Sequence, residues 1–156
     1  MAYISGPATC TYKSVDVGEI RDGFRLIQTQ AGVPVTGDDY ADSVQELIYR
    51  GGNCFMVFTL NEFSTTLNVL TNYGAWGLIG QVGRQAIQSS LAGALVLTAV
   101  AGTPAASTPA TLTATNAIMA EDFDIELLFD SRLREVPVRM RLLPFSSTGQ
   151  RWWTFT

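Results

Sequence analysis

The sequence predicts a mainly β chain, and two stretches carry that expectation. Residues 54–60 read Cys-Phe-Met-Val-Phe-Thr-Leu, with Cys54, Met56, Phe58 and Leu60 on one face of a strand and Phe55, Val57 and Thr59 on the other. Both faces are apolar, as in a strand covered on both sides, and the β-branched and aromatic side chains favour a strand over a buried helix. Further on, Val136, Val138, Met140 and Leu142 alternate with Pro137, Arg139, Arg141 and Leu143. That period of two belongs to a strand with one face in a core. Ile125, Leu127 and Phe129 alternate with Asp124, Glu126 and Leu128 just before it. Together they predict a hairpin with Phe129 opposite Val136, Leu127 opposite Val138 and Ile125 opposite Met140. The same register sets Glu126 by Arg139 and Asp124 by Arg141.

The remaining elements follow in order. Residues 9–17 and 24–30 read as strands of a first hairpin, with Gly18 and Gly23 bracketing a turn or bulge. Residues 31–42 contain Gly32, Pro34, Gly37, Asp38 and Asp39, which is loop chemistry. Residues 43–51 have two readings. Ser43-x-x-Glu46 is a capping box and Val44, Leu47 and Ile48 have helical spacing, which locally favours a short helix. The alternative is extended chain leading into the 54–60 strand. Residues 64–73 predict a short helix capped by Ser64, with Phe63, Leu67 and Leu70 on one face. A glycine-spaced loop holding Trp76 follows, then a strand at 94–100, a surface loop at 103–111 and extended chain at 112–119.

Composition narrows the function classes. A chain of 156 residues is read as one domain, residues 1–156. Its net charge of -4 argues against a dominant nucleic-acid-gripping patch. Nine of its ten cationic side chains are Arg, a bias that suits ordered pairing at interfaces. No His is present, so the commonest general base and the imidazole metal ligand are missing. Cys10 and Cys54 form no CxxC pair and are expected to be reduced and buried. Asp38-Asp39 lacks further acidic ligands at EF-hand spacing, and the glycines after residue 74 lack both the nucleotide-binding pattern and a Walker lysine. Glu121-Asp122 and Asp124 with Glu126 are better read as strand-face charge than as an acid–base pair. The expectation is a non-enzymatic protein with no metal or cofactor. The start of the sequence does not read as a signal peptide, and the longest apolar run, residues 91–101, is too short to cross a bilayer.

The stretch Arg151-Trp152-Trp153-Thr154-Phe155-Thr156 is rich in large aromatics. It either folds back on its own domain or anchors a neighbouring subunit. Stacking on nucleic-acid bases is a third reading, which the acidic balance disfavours.

The order of features resembles the major tail tube proteins of tailed bacteriophages. The resemblance lies in Tyr12-x-x-Val15-Asp16-Val17-Gly18, Gly23-Phe24-x-Leu26, Asp38-Asp39-Tyr40, Ile48-x-x-Gly51-Gly52 and Leu60-Asn61-Glu62. It continues in Leu95-Val96-Leu97-Thr98, Thr115-Asn116-Ala117-Ile118 and Val136-x-Val138-x-Met140-x-Leu142-x-Pro144. It covers nearly the whole chain through loose motifs, and Ala99 stands where such proteins often carry Pro. It implies an antiparallel β-sandwich or barrel-like domain with one short α-helix, and extended chain over residues 43–51. It implies six-membered rings stacked into a tube that conducts DNA during ejection, made in the host cytoplasm and resident in the virion tail. The implied partners are further copies of the chain, terminator, baseplate or tip components, in some tails a sheath, and DNA in transit, with no membrane. The loop 31–42 and the segment 151–156 are candidate inter-subunit arms. Asp38, Asp39, Tyr40, Trp76, Arg151, Trp152, Trp153 and Phe155 are the candidate interface residues. A tail-terminator or neck component is the neighbouring alternative, and a monomeric β-domain that binds a small ligand is the alternative from another class.

Overall fold

Lys13 and Ser14 both adopt positive φ, 49° and 67°, and reverse the chain in two residues. That is the backbone of a tight hairpin turn whose twist matches its strands. It joins β1 (Ala8–Tyr12) to β2 (Val15–Asp16). The computed structural model describes residues 7–37, 44–61, 92–100, 111–121, 135–145 and 151–156. They build β1 and β2, then β3 (Ile20–Thr36), β4 (Val44–Leu60), β5 (Gly93–Ala99), β6 (Thr111–Met119), β7 (Val136–Leu143) and β8 (Thr154–Phe155). The protein is mainly β, and no helix occurs among the described residues. The helix expected at 64–73 and the loop around Trp76 lie outside them.

All the strands form one antiparallel sheet in the order β2-β1-β5-β6-β7-β4-β3, with β8 beside β6. The expected hairpin of residues 9–17 with 24–30 does not form. Those segments lie at opposite ends of the path, β1 pairing with β2 and β5 and β3 pairing with β4. The Gly18–Gly23 region instead supplies a link and a bulge, with Asp22 and Gly23 at positive φ where the β3–β4 register shifts.

The ends of the path are nevertheless tied together. Only Val17, Gly18 and Glu19 separate β2 from β3. A flat sheet in this order would put its outer strands roughly 29 Å apart, and four residue steps reach about 14 Å at most. The sheet therefore curls. Val17 N–H donates to Cys10 O at 2.9 Å, and Asn61 N–H donates to Glu19 O at 3.1 Å, so the link touches both ends. Among the described residues no ladder closes the sheet.

The concave side holds the core, and both strongest sequence patterns feed it. Cys54 lies opposite Leu142, Met56 opposite Met140, Phe58 opposite Val138 and Leu60 opposite Val136, all buried. The faces are those the alternation predicts, but the partner strand differs. Met140 has Met56 on one side and Met119 on the other, and Arg141 has Phe55 and Ile118. A strand residue has two lateral neighbours, so Ile125 and Asp124 cannot take the places expected of them. Residues 122–134 themselves lie outside the described residues. Tyr12 is fully buried and donates its hydroxyl to Ala117 O at 3.0 Å, fastening β1 to β6 across the core.

The other face of β4 is also covered, as its apolar character predicts. The Arg139 and Arg141 guanidinium groups lie over the Phe55 ring, at 4.0 and 4.6 Å from its centroid. Long arginine stems shield apolar surface while their heads stay wet.

Candidate assembly surface and the cleft at its root

β4 has β7 beside it only from Leu60 to Cys54. From Asn53 to Val44 its only ladder partner among the described residues is β3, through Thr29↔Asn53, Gly32↔Tyr49, Pro34↔Leu47 and Thr36↔Val44. The two strands thus leave the sheet as a ribbon. This corrects the local helix reading of residues 43–51. The capping box and the helical spacing are present, but six cross-strand pairs with β3 between Val44 and Gly51 outweigh them, and intrinsic propensity is a weak prior against such pairing. The extended reading implied by the family resemblance matches this segment.

The ribbon's side chains are unusual for a surface. Val44 is 57% exposed, Leu47 70%, Ile48 54% and Tyr49 60%. Leu47 and Tyr49 share one face with Pro34 and Gly32, while Ile48 shares the other with Val33. Both faces of the ribbon are therefore apolar and wet. A two-stranded ribbon is marginal in water by itself, and contiguous exposed apolar surface of this kind marks an interaction site. The helical reading hid it by placing Val44, Leu47 and Ile48 on a single buried face.

Asp38, Asp39 and Tyr40 fall in the link between the two ribbon strands and, like Trp76, lie outside the described residues. Trp152 and Trp153 are half-buried against the core of their own chain, and Trp153 donates Nε1–H to Gln28 Oε1 at 3.2 Å. β8 pairs with Leu112 and Thr113 of β6, and Phe155 packs edge-on against Trp153 with 5.2 Å between centroids. Arg151 is exposed and forms a backbone bridge with Phe145. Of these four candidates, Arg151 and Phe155 are the exposed ones.

A cleft of about 600 Å³ opens where the ribbon leaves the sheet. Tyr49, Gly52, Asn53, Arg141, Pro144 and Trp152 are among its walls. One edge of the Arg141 guanidinium donates to both oxygens of Glu121, Nε to Oε2 at 2.8 Å and Nη2 to Oε1, and Nη1 donates to Asn53 Oδ1 at 2.7 Å. The arginine hydrogen bonds pull the Glu121 carboxyl down to about 2, below the usual carboxylate range. Glu121 is thus a carboxylate partner of Arg141, and Asp124, the partner expected from the alternation, lies outside the described residues. Gly52 is required by close approach. A Cβ there would sit 2.5 Å from Thr29 O and 2.9 Å from Trp152 Cη2, and the first of these is backbone. Gly52→Ala should therefore destabilise the protein by about 1–3 kcal/mol, the range of overpacking, in a urea titration. An unchanged midpoint would show that β3 and β4 are not this close at the ribbon's root.

Cys10 and Cys54 are free and buried. Burial, with the Asp16 charge adding to it, pushes the Cys10 thiol up to about 12, and burial pushes the Cys54 thiol up to about 11. Both are therefore poor nucleophiles. No cluster of metal-binding side chains and no helix long and apolar enough to cross a membrane occurs among the described residues. No protein-family model matches the chain, and no curated protein matches it.

Proposed function

We propose that this protein is a structural subunit of a phage tail tube, assembling into six-membered rings that stack around a channel for DNA. The observation that carries the reading is the ribbon of β3 and β4, apolar and exposed on both faces. Such an arm finds its missing cover on neighbouring copies. The family resemblance supplies the kind of assembly. The curled antiparallel sheet suits the sandwich or barrel-like domain of such subunits. The net charge of -4 suits a channel that lets phosphate slide past. Terminator, baseplate or tip proteins and, in a contractile tail, a sheath are the further partners. The protein acts in the virion tail, is made in the host cytoplasm, and has no catalytic role. A terminator or neck component would use the same arm in a ring that does not stack. The cleft beside Trp152 and Tyr49 favours the other reading, a monomeric domain that takes a small ligand.

Light scattering and negative-stain microscopy over a concentration series decide between them. Rings or tubes are expected. Leu47→Asp with Ile48→Asp should abolish them, with the circular dichroism of the monomer retained. A folded chain that stays monomeric at every concentration would overturn the tube reading and favour the ligand-binding domain.

A further inference from the structure

The cleft at the root of the arm has walls of two kinds. Tyr49 and Trp152 converge on Gly52, with Trp152 Cη2 2.9 Å and Tyr49 Oη 3.3 Å from the point where a Cβ would stand. The missing side chain lets both rings come down onto the backbone. Tyr49 is 60% exposed and Trp152 half-buried, so part of each ring stays open to a ligand. Asn53 follows Gly52 in the strand and so projects to the opposite side, where Arg141 donates to its Oδ1 at 2.7 Å. That bond fixes which way the amide faces and leaves Nδ2 with two hydrogens to give. Gln30, the cross-strand partner of Gly52, adds a second exposed amide to the lining.

The charges around the cleft narrow its ligand. Of the residues that line it, Arg141 is the cation and none is a carboxylate. Arg141 is already bonded to Glu121, whose carboxyl is held down at about 2 and stays ionised. A phosphate or carboxylate ligand would have to compete with Glu121 for the guanidinium. A metal ion would find no anionic ligand in the lining.

We infer that the cleft binds a short uncharged saccharide. One side of a pyranose ring is a sheet of C–H groups, which packs on the negative face of an aromatic ring. Its rim of hydroxyls both gives and takes hydrogen bonds, as amides and phenols do. Tyr49 and Trp152 supply the platform, and Asn53 Nδ2, the Gln30 amide and the Tyr49 hydroxyl supply partners for the rim. The volume of about 600 Å³ falls within the range of pockets that enclose drug-sized ligands, room for about two or three sugar rings. The inference rests on the ligand-binding reading of the cleft and is independent of the assembly reading.

The test is a printed array of neutral, sialylated and sulfated oligosaccharides probed with the full chain. Isothermal titration follows with the best neutral glycan and with uridine, a stacking ligand of another class. Tyr49 also belongs to the ribbon, so the titrations use a concentration at which sedimentation shows a monomer. Array signal on neutral glycans, a saturable titration and indifference to salt are expected. Tyr49→Ala should weaken binding at least tenfold, and Gln30→Ala about threefold or more. Both positions are exposed, and circular dichroism checks that both variants are folded. Signal on acidic glycans alone, affinity that falls as salt rises, or two variants that bind like the unaltered chain would overturn the saccharide assignment. Binding of uridine and of no glycan would also overturn it, and leave the ligand reading standing. A folded chain that binds none of these would overturn both and leave the assembly reading untouched.

Discussion

Phe58→Ala should lower the unfolding free energy by about 3–5 kcal/mol, a large part of what holds a domain of this size together. Phe58 is 2% exposed and sits in the middle of the core. Val138 flanks it on β7, and Phe24 meets its ring at 5.3 Å from the β3 side. Val138 is β-branched and held in the β4–β7 ladder directly opposite Phe58, so it cannot lean into the space left behind. Phe24 belongs to the bulged part of β3 and fills a fraction of it at best. The cavity therefore persists, and the full cost of a large-to-small change in a packed core follows. Leu47→Ala is the matched control. That side chain is 70% exposed, and its loss should change monomer stability by about 0.5 kcal/mol or less. Urea titrations of both variants at low protein concentration measure the difference. Equal effects would mean that the two faces of β4 have been exchanged.

The contrast between those residues also marks what could be read from the sequence. The period-two pattern placed Cys54, Met56, Phe58 and Leu60 on one face, and Val136, Val138, Met140 and Leu142 on one face, and both are in the core. Alternation reports what a strand does with its faces, because burial is a property of each residue. It does not report which strand lies alongside. The nearest alternating stretch was the natural guess for β7, yet its neighbours are β4, some eighty residues earlier, and β6. The first hairpin failed for the same reason. Its true turn, Lys13-Ser14, has none of the Asn or Gly chemistry that normally advertises positive φ, so the visible glycines at 18 and 23 drew the reading instead. In the candidate site the loss was larger. A ribbon with its apolar side chains exposed obeys no rule of its own chain's core, and those residues fit a helix pattern as well as a strand.

Deleting residues 151–156 should cost the fold itself roughly 3–5 kcal/mol, on the scale of removing a buried Trp, before any effect on assembly is considered. β7 and β8 run along the same side of β6 in the same direction. β7 pairs with Asn116 to Met119 and β8 with Leu112 and Thr113, so β8 prolongs the line that β7 begins. Between the two strands, Phe145 and Arg151 exchange backbone bonds of 2.9 and 3.3 Å. Thr156 N–H donates to Thr111 O, and Thr111 N–H to Thr156 O, both at 2.9 Å. Without these residues Leu112, now buried, loses its cross-strand neighbour Phe155. The root of the arm loses Trp152, which packs on Gly52, and β3 loses the bond from Trp153 to Gln28. Denaturant unfolding of the truncated chain at a concentration where the unaltered chain is monomeric isolates this effect from association. Phe155→Ser is the companion variant, because its side chain is 39% exposed and its backbone pairing survives. If the truncated chain unfolds at the same midpoint as the unaltered one, the segment is a free arm, and its aromatics belong to a neighbour's surface. If the midpoint falls as expected, any loss of rings on truncation reports a weakened subunit, and the search for the interface returns to Leu47, Ile48 and Tyr49.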